Sequence, residues 1–218
     1  LCWIGHSMGG MVIYAYLGLA QNGLRPAAAV TLATPVRFAQ KATGLTQSIG
    51  SLLLSLPFPN RVPQRIPLGI LWHVVGRTRA LEVGMNPENI DPRVVRRALR
   101  RSLSDGSRRK LQQLADWART GRFTSLDGGI DYRENLRKVT TPTLILCGAS
   151  DPLAPPECSE PAYELLAAAR KRFVVVGRAS GFSMDYGHVD LILGQRAPEE
   201  VFPLVASWVG ETLSMEGR

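Results

Sequence analysis

The chain is short of histidine and cysteine, with three of each in 218 residues, and it contains no P-loop, dinucleotide fingerprint, internal repeat or low-complexity tract. No apolar stretch approaches the roughly 18 uninterrupted residues that a membrane-spanning helix needs; the nearest are Ile66 to Val75 and Thr143 to Cys147. A transmembrane reading is therefore unsupported. The odd number of cysteines argues against a disulfide framework, and Cys2 and Cys147 lie in apolar strand-like runs where a thiol behaves as a small hydrophobe, so Cys2, Cys147 and Cys158 are expected to be reduced. With no metal-ligand spacing either, neither a metal nor a cofactor is expected. What remains is ordinary globular composition, 45% hydrophobic and 20% charged, which excludes a disordered chain.

Charge is distributed unevenly. Between Val36 and Thr141 there are 19 Lys or Arg against 8 Asp or Glu, whereas the rest of the chain has 7 against 10, so the net charge of +8 originates in the middle. On either side of that segment the pattern alternates between strand and helix. Leu1 to Ile4 reads as the end of a buried strand, Met8 to Leu19 as a helix capped near Gly23, and Ala27 to Ala33 as a strand buried on both faces. The order resumes with a strand at Thr143 to Cys147, a helix from about Glu160 to Ala169, a strand at Arg172 to Val176 and a helix from Pro198 to Leu213. This alternation predicts an α/β fold with a parallel sheet and flanking helices. Residues 1–35 and 141–218 are expected to form the core, and 36–140 a mainly helical, basic lid inserted into it.

Residues 5 to 9 read Gly-His-Ser-Met-Gly, placed between the first strand and the first helix. The letters alone arise by chance in roughly one chain in fifteen of this length; a strand-to-helix setting is the context that gives them meaning. A serine on so tight a turn needs glycine two positions before and after it, where a Cβ would collide with backbone. An acid candidate, Asp151, follows the strand Thr143 to Cys147, at the strand end where parallel sheets gather functional groups. Its plain alternative is to shape the Asp151-Pro152 turn. A base candidate follows by elimination among three histidines: His6 adjoins the serine as a packing or pocket-lining residue, His73 lies in an apolar run as a core or lid histidine, and His188 occupies a loop after the last strand, with Asp185 and Asp190 as substitute orienters.

With Ser7, Asp151 and His188 in this order, the chain resembles the α/β-hydrolase superfamily from its nucleophile elbow onward. The tail from Gly187 to Gly194 and from Ala197 to Phe202 looks like that of lipase-type members and of relatives of polyhydroxyalkanoate synthases. Those synthases place cysteine at the elbow and the epoxide and haloalkane hydrolases aspartate, so Ser7 points to a hydrolase of carboxylic esters. The resemblance implies a catalytic triad of Ser7, Asp151 and His188, with the backbone N–H of Met8 as one oxyanion donor. It also implies a longer parent protein whose earlier strands supply the second donor; the loss of one donor costs about 100-fold to 1,000-fold in rate, so this chain alone is expected to be a poor enzyme. Acyl transfer to an alcohol or a growing polyester uses the same triad, and a degenerate fold kept as a binding module is a further alternative.

In the middle segment, Leu45, Ile49, Leu52, Leu53, Leu54, Leu56 and Phe58 suit either an apolar lid or that lid's own core. Arg96, Arg97, Arg100, Arg101, Arg108, Arg109 and Lys110 form a solvated basic face or, together with the leucines, a contact with an anionic membrane. Nucleic acid is not expected as a partner, because the cluster lacks interleaved aromatics. The expected partner is a small-molecule or lipid ester, the expected location cytoplasmic.

Overall fold

A computed structural model describes residues 1–20, 23–38, 61–62, 84–102 and 106–216. Four parallel strands, β1 (Cys2–His6), β2 (Ala28–Leu32), β3 (Thr143–Gly148) and β4 (Lys171–Val176), form one sheet in their sequence order. In register, Gly5 lies beside Thr31, Thr31 beside Ile145, and Leu146 beside Val174. The central strands β2 and β3 are buried at every residue, which is why they read as continuous small and β-branched runs instead of alternating ones. The first strand, β1, lies at the edge of the four-stranded sheet, and Ile4 is 55% exposed.

Side chains leave the two faces alternately. Ala29, Ile145 and Cys147 point to the layer of α1 (Met8–Leu19) and α4 (Pro156–Leu165). Val30, Leu32, Leu144 and Leu146 point to the opposite layer, where Val201 and Trp208 of the C-terminal segment cover them. Ile13, Tyr14 and Leu17 of α1 are buried, each contributing about 1.5–3 kcal/mol by burial. The polar Thr31 is tolerated in the core because the Tyr14 hydroxyl lies 2.8 Å from its Oγ1. All three cysteines are free, and burial pushes the Cys147 thiol up to about 12.

Three helices differ from their expected bounds. The first helix stops at Leu19 with Ala20 as its cap, ahead of Gly23. The helix expected from Glu160 begins at Pro156, a proline placed where no N–H is needed, and ends at Leu165. The final helix is divided at Val201 into α6 (Ala197–Glu200) and α7 (Phe202–Glu216), because Pro203 cannot donate back to the preceding turn and starts a new helix instead.

Within the described part of the middle segment, α2 (Pro92–Ser102) and α3 (Arg108–Thr120) are short helices rich in arginine. Trp117 of α3 is buried, stacked on Phe38 and edge-on to Phe123, and its Nε1 donates to the Thr124 carbonyl at 2.7 Å. Phe123, Leu136 and Val139 join the same core cluster as α1, so this end of the segment is docked on the sheet layer. The leucine-rich stretch from Leu45 to Phe58, the run Ile66 to Val75 and His73 lie outside the described residues. Among the described residues, no helix is long and apolar enough to cross a membrane.

Candidate active site

Ser7 sits between β1 and α1 with φ 52 and ψ −118, a left-handed conformation that costs a non-glycine residue roughly 1–3 kcal/mol. Its peptide groups hold it there. The Ser7 N–H donates to the Leu32 carbonyl at 2.8 Å, and its own carbonyl accepts from the N–H groups of Gly10 and Met11 and from the Thr34 hydroxyl. A Cβ on Gly5 would lie 2.6 Å from the Gly9 carbonyl carbon, so the steric requirement expected there is met. The requirement expected at Gly9 is not, because among the described residues nothing lies within 4 Å of a Cβ built on it. The second crowded position is Gly10, whose Cβ would fall 2.1 Å from Thr34 Oγ1. Glycine is thus demanded where α1 runs against β1 and Thr34, whereas Gly9 points away from both.

Met8 opens α1, so its N–H is one of the four in the first turn without an intrahelical acceptor, at the positive end of the helix dipole.

Asp151 lies beyond the end of β3, 3% exposed, in a loop packed tightly against the loop of His188. A Cβ on Gly148 would come 2.3 Å from the Tyr186 carbonyl oxygen, and the Ser150 N–H donates to that same oxygen at 2.9 Å. The two carboxylate oxygens divide their work. Oδ1 accepts the N–H groups of Leu153 and Ala154 at 2.8 and 2.9 Å, the turn-shaping role, while Oδ2 lies 2.8 Å from His188 Nδ1. His188 Nε2 in turn lies 2.9 Å from Ser7 Oγ. Side chains 181 and 37 residues apart in the chain are therefore joined in one hydrogen-bonded line.

The histidine is oriented through its backbone. The Gly187 N–H donates to Asp190 Oδ2 at 2.9 Å, the Val189 N–H donates to the Gly84 carbonyl at 2.9 Å, and the His188 carbonyl accepts from His6 Nε2 at 2.8 Å. Asp190 and Asp185, weighed above as orienters, serve backbone groups instead. Asp190 Oδ2 also accepts the Asn86 N–H, and Asp185 Oδ1 accepts the Arg178 N–H. Burial raises the Asp190 pKa above the usual carboxylate range. Sequence reasoning missed the segment Gly84 to Asn89, which straps the histidine loop down. Its sole local signal is Asn86-Pro87, an Asn that caps a short turn by accepting the Glu88 N–H.

Beside Met8 an apolar cavity of about 220 Å³ opens between α1 and α3, lined by Met8, Met11, Val12, Leu114, Trp117 and Phe123 among others, with Lys110 the charged lining residue among the described residues. Among the described residues, no group of three or more His, Cys, Asp or Glu side chains is arranged to hold a metal.

Residues 1–179 match the family described as serine aminopeptidase, S33. No curated protein sequence matches the chain. Solved structures that resemble it include the monoacylglycerol lipase of Paleococcus ferrophilus, at 14% identity and a TM-score of 0.58 over 96% of this chain and 68% of that one. A thermophilic esterase from Thermogutta terrifontis aligns at 18% identity and a TM-score of 0.53, over 97% of this chain and 65% of its own. An alpha/beta fold family hydrolase from Bacillus anthracis str. Sterne aligns at 16% identity and 0.55, over 97% and 66%. At such identities the likeness is one of fold, and the chain spans about two-thirds of their length.

Proposed function

Because this chain belongs to the S33 serine aminopeptidase family of α/β-hydrolases, we propose that it supplies the nucleophile, acid and base of a serine hydrolase acting on carboxylic esters. One observation carries the reading: the line Ser7–His188–Asp151, closed at 2.9 and 2.8 Å. In this reading Asp151 is an acceptor, so His188 carries its proton on Nδ1 and leaves Nε2 free to take the Ser7 proton as Oγ attacks the acyl carbon. The Met8 N–H stabilises the negative charge that forms on the carbonyl oxygen. His188 then protonates the departing alcohol, and a water deprotonated by His188 releases the acid and regenerates Ser7.

Ester hydrolysis is favoured over removal of an N-terminal amino acid by the charge beside the nucleophile. An aminopeptidase must hold a substrate ammonium, which calls for carboxylates, whereas among the described residues lining the apolar cavity the charged side chain is Lys110. The test is a fluorophosphonate probe with a p-nitrophenyl ester series: the adduct maps to Ser7, and short acyl esters turn over faster than aminoacyl-p-nitroanilides. An adduct on any other residue overturns the assignment.

Residues 36–140 are, on the same reading, the insertion that shapes substrate access, and α2 gives it a charged face. Arg93, Arg96, Arg97, Arg100 and Arg101 recur at i, i+3, i+4, i+7 and i+8, with no acidic residue in the helix, and Arg96, Arg97 and Arg101 are exposed. Elsewhere Arg119, Arg137, Arg170, Arg178 and Arg196 each pair with a carboxylate. A stripe of arginine suits an anionic membrane surface, where each basic residue contributes about 1 kcal/mol. The variant R96Q/R97Q/R101Q is expected to bind phosphatidylglycerol-containing vesicles about 100-fold more weakly at low salt, in a co-sedimentation assay, with hydrolysis of soluble esters unchanged. Equal binding of the unaltered protein to neutral and anionic vesicles would count against this contact.

A further inference from the structure

A fourth polar side chain reaches into the site without a part in the chemistry above. His6 ends β1, directly before Ser7, and its Nε2 lies 2.8 Å from the backbone carbonyl of His188. A carbonyl oxygen can only accept, so this nitrogen carries the proton. The rings of His6 and His188 stand 4.9 Å apart at 61°, and they hold opposite tautomers: Nε2–H on His6, Nδ1–H on His188.

Three backbone groups around His188 are pinned, but by different parts of the molecule. Asp190 holds the Gly187 N–H from within the same loop, and Gly84 holds the Val189 N–H from the strap. The His6 bond alone among these reaches the element that carries Ser7. The separation between Ser7 Oγ and His188 Nε2 is set by two loops whose residues lie 181 positions apart, and a direct bond between their backbones and side chains fixes that separation more tightly than packing can. The donor must also be uncharged. A cation beside His188 would oppose the imidazolium that forms there during turnover, and burial together with the His188 ring holds the His6 pKa below the ordinary histidine value.

We infer that His6 is a positioning residue, a neutral donor that ties the nucleophile turn to the loop of the base and sets the distance over which the proton moves. The inference rests on the reading of Ser7 and His188 as nucleophile and base.

Its test compares His6→Phe, which keeps an aromatic ring and removes the donor, with His6→Gln, which keeps a neutral N–H at similar reach, and His6→Asn, which falls a methylene short. Misplacing a catalytic pair by about 1 Å can cost on the order of 100-fold, so kcat of His6→Phe should fall about 10-fold to 100-fold while KM stays within about threefold. Fluorophosphonate labelling of Ser7 should slow in parallel. His6→Gln should recover kcat to within about fivefold of the unaltered protein, and His6→Asn should not. Unchanged kcat in His6→Phe overturns the inference. Should His6→Phe fail to fold, the Gln and Asn variants decide the matter, and equal kcat in those two overturns it as well. His188→Ala separates this outcome from failure of the underlying reading: activity retained there removes the base itself, whereas activity lost there but kept in His6→Phe removes the tie alone.

Discussion

Ser7→Ala is expected to lower kcat for ester hydrolysis by about 10⁴-fold to 10⁶-fold, because it removes the atom that forms the acyl-enzyme and leaves only binding and the Met8 N–H to stabilise the reaction. The change deletes a single hydroxyl whose one hydrogen bond among the described residues is to His188. Ser7 keeps its conformation through backbone bonds to Leu32, Gly10 and Met11, none of which needs the side chain. The thermal midpoint should therefore move by no more than a few degrees. Calorimetry paired with a p-nitrophenyl ester assay reads both quantities. A variant that kept more than a few per cent of kcat would remove Ser7 as nucleophile and with it the proposed mechanism.

Asp151→Asn should be nearly as damaging although it changes no volume, with kcat down about 10⁴-fold. The amide cannot satisfy both of its neighbours. If its oxygen keeps the two N–H donors of Leu153 and Ala154, its NH2 group faces His188 Nδ1, which must then give up its proton and become an acceptor. The ring proton moves to Nε2, and the nitrogen that should accept from Ser7 becomes a donor. If the amide turns over, its NH2 group meets two backbone N–H donors and the turn loses both bonds, at about 1–3 kcal/mol per unsatisfied group. The first arrangement costs less, so a folded protein with the wrong tautomer is the expected result. An NMR experiment that detects the His188 ring proton on Nε2 in the variant, alongside unchanged KM, would bear this out; a variant within tenfold of normal kcat would defeat it.

The sheet and the hydrogen-bonded line were legible from sequence to different depths. Ala27 to Ala33 and Thr143 to Cys147 declare themselves because strands buried on both faces must be apolar throughout, and β2 and β3 lie within one residue of those bounds. Ser7, Asp151 and His188 are found because each follows a strand. The edge position of β1 is not encoded in Cys2-Trp3-Ile4, since an apolar run reads the same whether one neighbour or two cover it. The break at Val201 was readable from Pro203 and was missed by extending a helical pattern across it. The strap from Gly84 to Asn89 and the bond from His6 to His188 are pairings across roughly a hundred or more positions, and a single sequence carries no local trace of such pairs.

Adjacent strands β2 and β3 are neighbours in the sheet, yet the chain leaves at Leu32 and re-enters at Thr143. For a flexible connection, closing about a hundred residues instead of ten adds only about 2 kcal/mol of chain entropy, because the cost grows with the logarithm of length. The bonds that complete the site are made by residues outside that excursion, apart from Thr34 just after β2 and the strap at the far side. Length and composition between Phe38 and the strap are therefore nearly free variables for natural variation. On the proposed reading, substrate choice can drift there while the proton path between residues 7, 188 and 151 stays as it is.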